Sequence, residues 1–325
     1  MRGTAVKGLL YRLSQRLTQT RYWLTAQVAK ALLALLRRLP MDTALDFADR
    51  TARRLGPLVG RHKVALDNLR HAYPEKSEDE IKAIALDMWG NMARLAAEYI
   101  FLDAIFDYDP YADKPGRVEV SGEQLFAKIA TENKPHIIFT GHLGNFELLP
   151  IAGATFGMKV TALFRPPNNP YIADYIFSTR RAIMGDLLAS RAGASFALAR
   201  ILDNNGTIGV LVDQKFINGT PTTFFGRACE TSPLLPKLVR QYDCDVYPAR
   251  CIRLPGNRYR LEIEDKLELP RDADGSVDVP ATAQLLNDVV ERWVREHPGQ
   301  WMWFHKRWML SKGRRRRGLK SLTGN

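Results

Sequence analysis

The sequence predicts an α/β fold: a mixed central sheet flanked by helices, with an N-terminal helical, membrane-associated region ahead of it. Three observations predict it. From about residue 117 short apolar runs alternate with helical stretches, the pattern of a sheet covered by helices with its ligands at strand ends. Residues 41–104 carry helical signals throughout. The first forty residues carry an apolar stripe at helical spacing and no acid before Asp42. The resulting division is 1–40, a basic amphipathic membrane-associating helix; 41–115, a helical region; 116–310, the α/β domain; and 311–325, a basic tail.

In the first region Leu10, Leu13, Leu17, Leu24, Val28, Leu32, Leu35 and Leu39 recur at gaps of three, four or seven, which is one helical face. Arg12, Arg16, Arg21, Lys30, Arg37 and Arg38 interleave, and Tyr22 and Trp23 suit headgroup depth. Such a helix lies in a membrane interface. The two other readings are a helix packed on the protein's own core and a tilted span over 22–39. No secretory signal is present, and no run of eighteen uninterrupted apolar residues.

In the second region Asp42 is a possible cap, and Ser77 with Glu80 forms a reciprocal capping pair. Leu86, Met88, Trp89, Met92, Leu95, Ala96 and Tyr99 make a packing face. Pro110 and Pro115 mark the boundary.

In the third region strands are expected at 118–120, 135–139, 160–164, 208–212, 246–253 and 259–263. Helices are expected from 123, from 171, over 194–203, over 233–242 and over 280–296.

The chain has 325 residues and a net charge of +12 that is unevenly placed. Residues 1–38 hold eight basic residues and residues 297–325 hold eight more, neither with an acid, which leaves 31 basic against 35 acidic between them. Basic ends on a near-neutral body point to an anionic surface, phospholipid or nucleic acid. Cys229, Cys244 and Cys251 match no disulfide or metal framework, so they read as packed residues in a reducing compartment.

The chemistry centres on Thr140-Gly-His142-Leu-Gly144-Asn-Phe-Glu147, directly after an apolar strand. On one helix, residues five apart diverge by about 140°. His142 and Glu147 therefore meet only if the histidine is on the loop and the acid on the first helical turn, which the two glycines permit. A carboxylate on one ring nitrogen fixes the tautomer and makes the other a better base. With no nucleophile of its own, such a unit suits deprotonation of a substrate hydroxyl. The competing reading is a strand-end histidine capping backbone.

Four further stretches stand out. Arg165, in the loop Phe164-Arg-Pro-Pro-Asn-Asn-Pro170, suits a phosphate or a developing oxyanion, or pairs a surface acid. Asp213, in Val212-Asp-Gln214, either supports the site or holds a structural network. Phe224 and Phe225 read as an acyl slot or as core. Gln300-Trp-Met-Trp-Phe-His-Lys-Arg-Trp308 admits nucleic-acid stacking, membrane anchoring or simple core covering.

His142-x4-Glu147 resembles the His-x4-Asp/Glu signature of the lysophospholipid acyltransferase superfamily. With the Arg165 loop, the stretch from Val212 to Gly226, the Trp301–Arg307 stretch and the upstream 64–75 segment, nearly the whole chain resembles the lauroyl/myristoyl-type late acyltransferases of lipid A biosynthesis. The resemblance implies an inner-membrane enzyme on the cytoplasmic face. It would move a fatty acyl chain from acyl carrier protein to a hydroxyl of a lipid A precursor. His142 and Glu147 would be catalytic; Arg165, Asn169, Asp213 and Gln214 would bind substrate. No cofactor and no metal is implied. The partners would be acyl carrier protein, the glycolipid acceptor and anionic membrane lipids, with no nucleic acid. The alternatives are an acyl-CoA-dependent acyltransferase of another glycolipid and a basic nucleic-acid-binding protein. A serine hydrolase is disfavoured by the lack of a Gly-x-Ser-x-Gly elbow.

Overall fold

The computed structural model describes residues 2–310 apart from 110, 113, 115 and 184, and leaves the side chains of 2–12 and 181–183 undescribed. The predicted basic tail, 311–325, and the side chain of Leu10 lie outside the described residues.

Helix α1 (Arg2–Leu36) is one 35-residue helix. The face it turns inward is not the leucine stripe. Ala26 is buried, Leu33 and Leu36 pack against a core cluster, and the Tyr22 carbonyl accepts from Asn169. Leu13, Leu17, Leu24, Val28, Leu32, Leu35 and Leu39 all remain exposed. The reading in which the stripe packs on the protein's own core is therefore corrected. None of the described helices is long and apolar enough to cross a membrane.

The helical region is α2 (Met41–Leu55), α3 (His62–Ala72), α4 (Glu78–Glu98) and the single turn α5 (Leu102–Ile105). Ser77 and Glu80 close the expected capping box on α4. Asp42 does not cap α2, whose N-cap is Pro40. It pairs instead with Arg117 at 2.8 Å, across 75 residues.

Seven strands form the main sheet: β1 (Val118–Ser121), β2 (His136–Thr140), β3 (Val160–Phe164), β4 (Asp186–Ala189), β5 (Thr207–Leu211), β8 (Asp245–Leu254) and β9 (Arg258–Ile263). Their order is β1-β9-β8-β2-β5-β3-β4. The β4-β3-β5-β2-β8 part is parallel; β9 returns antiparallel from β8 and β1 runs parallel to β9, so the sheet is mixed as expected. The β8–β9 turn places Gly256 and Asn257 at positive φ, the backbone twist a tight hairpin requires. Helices α6 (Glu123–Thr131), α7 (Leu148–Thr155), α8 (Pro170–Ile183), α9 (Ala194–Asp203), α10 (Leu234–Gln241) and α11 (Val279–Glu296) cover the sheet.

Alternation along the central strands divides the core between the two faces. Ile137, Phe139, Val246 and Ile252 enter one buried cluster, with α3, α9, α10 and α11. Tyr247, Ala249 and Cys251 enter the other, with α2, α6 and α7. Helix α4 gives Met88 to the first and Ala97 to the second, so the helical region and the sheet share their core. All three cysteines are free and buried within it, and burial pushes the Cys244 and Cys251 thiols up to about 12.

Two features were not expected. The strand β4 is a short edge of the sheet. A separate hairpin, β6 (Thr220–Phe224) and β7 (Arg227–Thr231), turns at Phe225 and Gly226, both at positive φ. Phe224 and Phe225 are buried in the first core cluster, which settles them as packing residues.

Candidate active site

Strands β2 and β5 are parallel neighbours, with Thr140 opposite Leu211. The pairing continues past the strand ends, where the Val212 N–H donates to the Thr140 carbonyl. Carried two residues further, this register sets His142 beside Asp213. Their contact is direct: His142 Nδ1 lies 2.7 Å from Asp213 Oδ1, and the His142 backbone N–H donates to Asp213 Oδ2 at 2.7 Å. The Trp301 indole N–H adds a third bond to Oδ2 at 2.8 Å.

Burial alone would raise the Asp213 carboxyl. The His142 charge, its two hydrogen bonds and the Trp301 bond outweigh burial and hold it below the usual carboxylate range. The carboxylate is thus ionised and fixed. A proton on Nδ1 faces it, leaving the Nε2 lone pair as the basic atom. The Gln214 side-chain amide donates to that lone pair at 3.0 Å. The Phe146 ring meets the imidazole edge-on, 5.0 Å between centroids.

The loop behind His142 is pinned. Gly144 has φ +56°, and a Cβ there would lie 2.0 Å from the Cys251 carbonyl oxygen, so only glycine fits. Its N–H donates to the Gln300 carbonyl at 3.0 Å, and Leu143 bridges to Trp301. Beneath lies a buried network. The Asn145 amide donates to Glu98 at 2.8 Å, and the Tyr259 hydroxyl donates to Glu98 at 2.6 Å. Arg253 joins Glu98 and Asn91 in the same network.

Glu147 is not the carboxylate on His142; that expectation is corrected. It sits at the N-terminus of α7, buried, and is ion-paired with Arg180 of α8. Arg180 also donates to the Tyr99 hydroxyl at 2.9 and 3.1 Å, and its guanidinium lies over the Phe164 ring. Burial pushes the Tyr99 hydroxyl upward, and the Glu147 charge adds to it. An acid five residues on therefore ties a guanidinium to the histidine loop and leaves the ring to Asp213.

Of the other expected residues, Gln214 touches the histidine. Asn169 does not reach it: its Oδ1 accepts the Tyr171 and Ile172 N–H groups at the start of α8, and its Nδ2 donates to the Tyr22 carbonyl at 2.8 Å. Its polar atoms cap α8 and tie it to α1. Arg165 is exposed on the loop after β3. The Trp301–Trp308 stretch is core covering. Trp301, Trp303, Arg307 and Trp308 are buried, and Arg307 donates to the Glu230 carbonyl at 2.7 Å. It is not a surface for stacking bases or anchoring lipid.

Sequence reasoning missed Arg180, Tyr99 and Trp301 as site residues. Only the register of β2 and β5 would have promoted Asp213 to the partner of His142. Among the described residues one group has metal-like spacing, Glu132, His136 and Asp245, at the other end of β2. Asp245 there already pairs with Lys134 and with Lys266 at 3.3 Å, so ammonium groups stand where a cation would.

Residues 11–309 match the profile of the family described as bacterial lipid A biosynthesis acyltransferase. The chain belongs to that family. Similar curated proteins include the lipid A biosynthesis myristoyltransferase of Escherichia coli K12, 26% identical over 276 residues and 81% of each chain. Lipid A biosynthesis acyltransferase 1 of Shigella flexneri shows the same identity and coverage. The lipid A biosynthesis acyltransferase of Haemophilus influenzae is 23% identical over 266 residues, 78% of this chain and 79% of that one. The family is one of O-acyltransferases acting in lipid A biosynthesis, and the match spans the histidine loop.

Proposed function

We propose that the protein transfers a fatty acyl chain from acyl carrier protein to a hydroxyl of a lipid A precursor, with His142 as general base. The observation that carries this reading is the Asp213–His142 pair, ionised carboxylate on Nδ1 and lone pair on Nε2. The acceptor hydroxyl takes the place of the Gln214 amide at Nε2 and gives up its proton there. The alkoxide oxygen attacks the thioester carbonyl. The new ester C–O bond forms, the C–S bond breaks, and the thiolate leaves with the proton from His142. No enzyme ester forms. Asp213 orients the ring and stabilises the imidazolium in the transition state. A cation is needed for the acceptor's phosphate or for the oxyanion, and Arg165 or the Glu147-held Arg180 supplies it.

The exposed leucine stripe of α1, in a segment of eight basic residues and no acid, supports attachment to the cytoplasmic face of the inner membrane. The test is transfer of labelled acyl groups to a tetra-acylated, sugar-bearing acceptor, with acyl carrier protein and coenzyme A thioesters in parallel. Transfer from the coenzyme A donor alone, or to a different glycolipid alone, would refute the donor or the acceptor respectively.

A further inference from the structure

A second surface shares the chemistry of the α1 stripe. Helix α2 carries three acids, and all are paired on the protein: Asp42 with Arg117, Asp46 with Arg94 at 2.9 Å, and Asp49 with Arg53 at 2.7 Å and Arg94 at 3.2 Å. From residue 50 to residue 66 the chain then holds five basic residues and no acid. Of these, Arg50, Arg54, Arg61 and Lys63 form no ion pair among the described residues. Among them stand exposed apolar side chains: Phe47, Leu55, Val59 and, at the tip, Leu58, which is 81% exposed.

The tip is held rigidly. Gly56 opens a single 3-10 turn, Gly56–Leu58, and is seated so closely on Trp89 that a Cβ would lie 2.3 Å from the indole. Trp89 is stacked on Phe304 at 5.4 Å, and its N–H donates to His62 at 3.1 Å, closing the far side of the turn. A large apolar side chain, costly to leave in water, is therefore presented outward on a fixed turn, ringed by unpaired cations.

We infer that the α2–α3 turn, with Leu58 and Val59 at its tip and Arg50, Arg54, Arg61 and Lys63 around it, is a second membrane contact that inserts into an anionic phospholipid surface. It rests on the membrane reading of α1. An apolar tip below the headgroups with cations level with the phosphates is the arrangement such a surface rewards. The exposed stripe of α1 runs on to Leu39, two residues before α2 begins, and α2 leads directly to the turn. Each basic residue near an anionic surface is worth about fivefold in partitioning.

The experiment uses the full chain with an environment-sensitive fluorophore on Leu58→Cys, feasible because all three native cysteines are buried. Ala273→Cys, on an exposed loop, is the control. Vesicles are phosphatidylcholine with or without about a third phosphatidylglycerol, and sedimentation is measured alongside. The label at 58 should shift to the blue with anionic vesicles and not with neutral ones, while the control stays unchanged. Arg54→Gln with Arg61→Gln should weaken binding to anionic vesicles by roughly 25-fold. Sedimentation of the protein without a shift at 58 would overturn the second contact and leave the α1 reading standing. No sedimentation would overturn both. A shift produced by acyl carrier protein instead of vesicles would reassign the tip to a protein partner.

Discussion

A histidine works as a base only when one ring nitrogen is free of its proton, and its partner on the other nitrogen decides which. Here that partner is Asp213. Glu147 has a different task, and the difference is measurable. Glu147→Gln leaves the buried Arg180 without its counter-charge, so it should destabilise the fold by about 3–5 kcal/mol as well as impair transfer. A lowered thermal midpoint checks this; an unchanged midpoint would contradict a structural role for the Glu147–Arg180 pair. His305 offers a second test. Its Nε2 accepts the Lys215 backbone N–H at 3.0 Å, and burial, with the nearby His142, Arg307 and Lys215 charges, lowers its pKa to about 4. An unfolded histidine titrates near ~6.5. Between about 6.5 and 4 the unfolded chain therefore holds a proton the native one lacks, and stability should fall as the pH falls through that window. In His305→Gln the slope of the urea midpoint against pH over that window should be shallower; an unchanged slope would remove His305 as its source.

At the scale of elements, the strands that matter were legible because burial on both faces makes them continuous apolar runs. The stretch before His142 and the one before Asp213 both read so, and both proved to be central parallel strands. What was not legible was their adjacency, and so Asp213 remained one support among several. The hairpin at 220–231 was hidden by polar residues, since even its buried positions include Thr222, Glu230 and Thr231, and its turn has Phe225 at positive φ. Asn169 illustrates the converse. The resemblance placed Asn169 among the substrate-binding residues, but its side chain fits the start of α8. The α1 stripe was visible as a pattern, but only the fold shows which way it faces. Replacing Leu24, Val28 and Leu32 with serine should leave the fold intact, because all three are exposed, and should weaken sedimentation with anionic membranes at least tenfold. Unchanged sedimentation would contradict an interfacial role for α1.

For the whole molecule, basic ends on a near-neutral body left lipid and nucleic acid both open, because charge alone does not distinguish two polyanions. The fold narrows the choice by burying the tryptophans of the C-terminal motif, which removes the stacking platform a nucleic-acid reading needs. It also sets the site at the C-terminal ends of adjacent parallel strands, where a doubly covered sheet leaves room for a ligand. The most direct test of the account is acyl transfer from acyl carrier protein to the lipid A precursor, measured for the wild type, His142→Ala and Asp213→Asn. Asparagine keeps the size of the carboxylate but turns the imidazole to the wrong tautomer. The account predicts no transfer by His142→Ala and a kcat lower by roughly 10²–10⁴-fold in Asp213→Asn, with KM little changed. Wild-type turnover in either variant would contradict it.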